Sequence, residues 1–165
     1  MKVIRIILDY LLRLLSWLPL GFHYACCGIL AFVMKNVMRY RRDVVVTNIS
    51  RSFPEMKYKE IRKTVSKFYS HLGEVIAETI WFGGCVNPRR LRRRKLVTSI
   101  HPEVLYDAFG RGKSVMLMDS HCGNWETIGG ILQYDETPPS DLPYGSKDII
   151  VAYKPLSSKV WDYVM

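Results

Sequence analysis

Cysteine is scarce and poorly spaced for chemistry: Cys26, Cys27, Cys85 and Cys122 include one adjacent pair and no C-x-x-C spacing. That pattern argues against a zinc knuckle and a disulfide framework and fits a reducing compartment. The chain also lacks an internal repeat and any low-complexity tract. No A-x-A-like cleavage site follows its apolar N-terminal region, which is longer than the roughly 7–15 residues of a signal peptide, so the region is expected to stay in the mature protein. Acidic residues are in deficit, 15 Asp and Glu against 24 Lys and Arg, for a formal charge of +9. Such an excess points to an anionic partner: nucleic acid, anionic lipid headgroups or an acidic carrier protein.

What is present divides unevenly. A chain of 165 residues suffices for one modest domain with its own core. The first forty positions hold a disproportionate share of its apolar residues. From Leu14 to Met34 the run LLSWLPLGFHYACCGILAFVM matches the roughly 20 residues that cross a hydrocarbon core as a helix. Pro19, Gly21 and His23 interrupt it, so a kinked or interfacial helix is as compatible as a straight span. Lys2, Arg5 and Arg13 precede it and Lys35, Arg39, Arg41 and Arg42 follow it. That symmetry gives no orientation by loop charge and suits a helix on an anionic cytoplasmic leaflet. Residues 1–40 are therefore read as a membrane-associating segment and 41–165 as a separate globular part.

In that part, apolar residues at three- and four-residue steps predict a helix over 41–53 and a longer one over 57–82, the latter ended by Gly83-Gly84. The apolar runs 96–100, 113–119 and 148–153 read as strands, with Met116, Met118, Trp81 and Phe82 in the core. The segments 102–109, 124–132 and 157–165 read as helices, and 134–147 as an exposed loop. Alternating strands and helices predict an α/β fold with a mainly parallel sheet flanked by helices.

Chemistry concentrates in Ser120-His121-Cys122-Gly123-Asn124-Trp125-Glu126, placed where a predicted strand hands over to a helix, as active sites of open α/β sheets are. A turn through Gly123 would bring the Glu126 carboxylate back to the His121 imidazole as base and orienter. On spacing alone, His121 capping the next helix and Glu126 offsetting its dipole is an equal reading. Cys122 as a nucleophile is disfavoured, because neighbours on an extended segment point to opposite sides. Asp119 and His121 lack a third metal ligand. The run Arg89, Arg90, Arg92, Arg93, Arg94 and Lys95 suits phosphate groups of a lipid or an acidic carrier protein. A solvated helix face is its bland alternative. Nucleic acid ranks last, since no nucleic-acid fold motif accompanies the run.

The HxGNWE-like string resembles the motif of the lipid A biosynthesis acyltransferases, the lauroyl- and myristoyl-transferring family. Arg42-Asp43-Val44-Val45-Val46-Thr47-Asn48-Ile49-Ser50-Arg51-Ser52-Phe53-Pro54, Phe68-Tyr69-Ser70-His71-Leu72 and Tyr153-Lys154-Pro155-Leu156 resemble further blocks of that family, in the family's order. The resemblance implies a glycerolipid acyltransferase-like domain, with His121 as general base, Glu126 as its acidic partner, and Asn124 and Trp125 at the motif positions between. It implies acyl transfer from acyl carrier protein to a hydroxyl of a lipid A precursor, at the cytoplasmic face of a bacterial inner membrane, with no metal or organic cofactor. Ser120 and Cys122 depart from the glycine and aromatic usual at those positions. The family's chains continue beyond the region matched here, so the resemblance is to the N-terminal part of such a domain. Two other readings stay open: acylation of another lysophospholipid-like acceptor, and an incomplete or inactive relative that binds membrane and carrier protein.

Overall fold

In a computed structural model the chain is described at residues 2–112, 114–120, 122–130, 142, 145 and 147–150. Among these residues it forms six α-helices: α1 (Lys2–Trp17), α2 (Leu20–Asn36), α3 (Arg42–Ser52), α4 (Tyr58–Gly84), α5 (Pro88–Arg94) and α6 (Pro102–Gly110), followed by a 3₁₀ helix, Trp125–Gly130.

The apolar N-terminal run does not form one helix. It breaks at Leu18-Pro19, and α1 meets α2 at 111°. Proline has no N–H to continue α1, and its ring drives the preceding residue out of helical geometry. Among the described residues no single helix is long and apolar enough to cross a membrane. The corner is held by side chains that take up the last carbonyls of α1. The single proton of the Ser16 hydroxyl is shared between Arg13 O of α1 at 2.8 Å and Gly84 O at the end of α4 at 2.9 Å, and His23 Nε2 donates to Leu15 O at 3.0 Å. A carbonyl only accepts, so the ring carries a proton on Nε2.

The long helix α4 is the spine, about 40 Å at 1.5 Å per residue, and α1, α2 and α3 all pack on it. Its first turn is closed by Glu60, whose carboxylate accepts the Lys57 N–H at 2.7 Å, the reciprocal half of a capping box. The pairs Tyr24/Glu78, Ala31/Gly73 and Lys35/Ser66 show that α2 and α4 run antiparallel. Two glycines permit close approach. A Cβ on Gly73 would stand 2.8 Å from the Cys27 carbonyl oxygen, and one on Gly84 would fall onto the Leu12 carbonyl. Around this spine lie two apolar clusters, Leu20, Trp81, Cys85 and Leu91 at one end and Val45, Val65 and Tyr69 at the other. Tyr69 is fully buried and donates its hydroxyl to the Tyr40 carbonyl.

The expected parallel sheet is not seen, and among the described residues no strand forms. Residues 114–120 run without helix or sheet pairing, and Met116 and Met118 stand 85% and 90% exposed instead of lying in a core. The run 96–100 is bend and coil, with Ile100 exposed. The physical reason is that a helix satisfies its own backbone groups, whereas an apolar run becomes a strand only when a neighbouring backbone pairs with it. Over its described residues the predicted helix 124–132 is a 3₁₀ helix, Trp125–Gly130, and positions 131 and 132 lie outside the described residues. Of the predicted strand 148–153, residues 148–150 are turn and coil. The rest of that strand and the helix predicted over 157–165 lie outside the described residues.

Candidate active site

Gly123 has φ +62° and Asn124 follows it directly into the 3₁₀ helix. The left-handed region is open to glycine at little cost, and it is the backbone conformation that tight turns use. Asn124 closes the first turn of that helix, its carbonyl accepting from Thr127 N at 3.2 Å and from Thr127 Oγ1 at 2.7 Å. Thr127 is buried and Glu126 half-buried, while Trp125 keeps 37% of its surface exposed. His121 lies outside the described residues, so the site is built from the partner side of the motif.

The Asn124 side chain reaches α4. Its Nδ2 donates to Glu78 Oε2 at 2.9 Å, and Tyr24 of α2 donates its hydroxyl to the other oxygen, Glu78 Oε1, at 2.7 Å. Burial, followed by the Glu78 hydrogen bond, pushes the Tyr24 phenol well above its ordinary range, so it remains a donor wherever the protein is folded. Glu78 and Tyr24 also line a groove between α2 and α4. The three residues thus join α2, α4 and the motif at one point. Neither Glu78 nor Tyr24 is singled out by motif spacing. One signal was available: Glu78 is the sole charged residue from Val75 to Val86, a position that a solvated helix face does not require.

The arginines expected to bind phosphate divide. Arg90 turns inward, with Nη2 donating to Ser16 O at 2.7 Å and its guanidinium 5.6 Å from the centroid of the buried Trp81 ring. Arg89 and Arg93 are exposed and Arg92 is half-buried on the same short helix. That helix starts at Asn87, whose Oδ1 accepts from Arg89 N at 3.0 Å and Arg90 N at 3.4 Å, with Pro88 in the first turn.

Residues 3–138 match the family model of the bacterial lipid A biosynthesis acyltransferases, and the chain belongs to that family. It is an acyltransferase, with an acyl donor and a lipid acceptor as its general substrates. Neither the curated proteins nor the solved structures compared with it gave a match.

Proposed function

We propose that the chain transfers a fatty acyl group from the thioester of acyl carrier protein to a hydroxyl of a lipid A precursor, with His121 as general base and Glu126 as the carboxylate that orients it. In this reaction the imidazole takes the proton of the acceptor hydroxyl, and the oxygen attacks the thioester carbonyl. The C–S bond then breaks and the proton passes to the departing thiolate, which leaves as the carrier thiol. An imidazole titrating near pH 6.5 suits that exchange, and a carboxylate behind it fixes the tautomer and stabilises the imidazolium. The observation that carries the reading is the left-handed backbone at Gly123, with φ +62°, just before the helical turn that holds Glu126.

The same reading places the chain at the cytoplasmic face of a bacterial inner membrane. Exposed apolar residues recur along α1 at Ile7, Tyr10, Leu14 and Trp17, the spacing of one helix face. Exposed Arg89, Arg93 and Arg94 provide positive charge nearby in sequence to α4's end. An apolar stripe with basic neighbours suits a helix lying in the interface of an anionic membrane.

The test is transfer from labelled acyl carrier protein to a lipid A precursor in membranes containing the full chain, beside His121→Ala. Label should appear in the lipid and disappear in the variant. Transfer that survives His121→Ala removes the histidine from the mechanism, and label found only in another lysophospholipid overturns the choice of acceptor.

A further inference from the structure

We infer that Glu78 is a positioning residue for acyl transfer: its carboxylate holds the Asn124 amide, and through it the turn that carries Glu126. The inference rests on reading the segment from 121 to 126 as the reacting one.

Both Glu78 oxygens are engaged, one by Tyr24 and one by Asn124, at 2.7 and 2.9 Å. A carboxylate gripped at both ends cannot rotate, and hydrogen bonds to an ionised acceptor are roughly twice as strong as neutral ones. Asn124 depends on this contact. Its Oδ1 is buried with no hydrogen-bond partner among the described residues, so the Glu78 bond is what fixes the amide in place. The Asn124 carbonyl meanwhile closes the turn onto Thr127. Side chain and backbone of one residue therefore link α4 to the turn bearing Glu126.

The anchor itself is stiff. Glu78 lies on α4 between Gly73 and Gly84, the two points where a neighbouring backbone comes too close for a Cβ. Sliding or rotating α4 at Glu78 would drive both contacts into collision. Each Glu78 oxygen is committed to a neighbouring side chain, one to Tyr24 and one to Asn124, and the role assigned to Glu78 is to hold Asn124.

A polarity swap tests the pairing. Four full-length proteins are compared in micelles: the parent, Asn124→Asp, Glu78→Gln, and the double variant. Asn124→Asp opposes two carboxylates, which resist ionising together at that distance. Turnover should fall roughly 10- to 100-fold, the effect of losing a charge-assisted bond and leaving its partner unpaired. In the double variant the amide introduced at position 78 donates to the new carboxylate while its carbonyl still accepts from Tyr24, and turnover should return to within about threefold of the parent.

Additive losses in the double variant overturn the inference. So does a double variant whose melting temperature recovers while its turnover does not, since Asn124 would then act on the reacting groups directly. If the parent itself transfers no acyl group, the proposed reaction falls separately. Melting temperatures of the same four proteins still decide the clamp: recovery in the double variant supports it and additive loss removes it.

Discussion

The Arg90 guanidinium donates to the Ser16 carbonyl at 2.7 Å while lying 5.6 Å from the centroid of the Trp81 ring. One side chain thereby ties α5 to the C-terminal end of α1 and to α4. The last carbonyls of a helix lack intrahelical donors and carry partial negative charge, so a cation there is favoured twice. Arg90→Ala is expected to destabilise the fold by roughly 1–3 kcal/mol. Arg90→Lys should recover only part of that, because an ammonium has no planar face to stack. Arg93→Ala, on the exposed side of the same helix, should change stability by no more than about 0.5 kcal/mol. Urea unfolding of the three variants checks the order.

Glycine matters in two opposite ways along the α2/α4 and α1/α4 contacts. A Cβ at Gly84 meets the Leu12 backbone, which has no flexible end to yield, whereas Gly28 in α2 has no atom within 4 Å of its added Cβ. Gly84→Ala should therefore cost roughly 1–3 kcal/mol by forcing α1 away. Gly28→Ala should gain up to about 1 kcal/mol from helix propensity. Thermal unfolding of the pair provides the contrast, and a Gly84→Ala melt equal to the parent's would mean that α1 does not sit against α4 at that point.

How far the sequence reaches depends on which partners a segment needs. The helices expected over 41–53 and 57–82 are found at Arg42–Ser52 and Tyr58–Gly84, because their apolar period and their hydrogen bonds are local. Pro19 announces a break in the apolar run, and the 111° corner lies there. The helix expected to end at Phe82 runs on through Gly83 and Gly84 to a cap at Cys85, and Gly84 is also the point of closest approach to Leu12, which only the packed helices reveal. Among the described residues the expected strands do not form, for the converse reason: a run such as Val115 to Met118 carries strand composition but not its pairing partner. Family membership is legible in short strings of residues, yet the contact between Glu78 and Asn124, 46 positions apart, leaves no spacing rule in the sequence.

Gly123 and Gly112 provide a matched pair for asking whether the motif turn matters to activity. Both have φ in the left-handed region, +62° and +67°, and neither has an atom within 4 Å of an added Cβ. An alanine at either position meets only backbone strain, roughly 1–2 kcal/mol. Gly123→Ala and Gly112→Ala should therefore lose similar amounts of stability. Acyl transfer should fall in Gly123→Ala alone, and Gly123→Asn should be milder because asparagine tolerates that region better. Equal activity in both alanine variants would detach the turn from the reaction.

The outward face of α1 separates a fold requirement from a membrane requirement. Leu14 and Trp17 are 68% and 80% exposed, while Leu12 on the same helix is 9% exposed and faces α4. Leu14→Asp and Trp17→Asp remove apolar side chains that contribute little to the core, so melting in the absence of lipid should be unchanged. If these side chains enter an interface, each loss forfeits about 1.5–3 kcal/mol of transfer free energy. Co-flotation with anionic phosphatidylglycerol vesicles should then weaken at least tenfold. Leu12→Asp should behave differently, because it buries a carboxylate without a partner and unfolds the chain before any lipid is added. Vesicle binding that survives both outward substitutions would transfer the docking role from α1 to the exposed apolar residues of α2, Phe22, Ile29 and Phe32, and the same substitution made there would decide it.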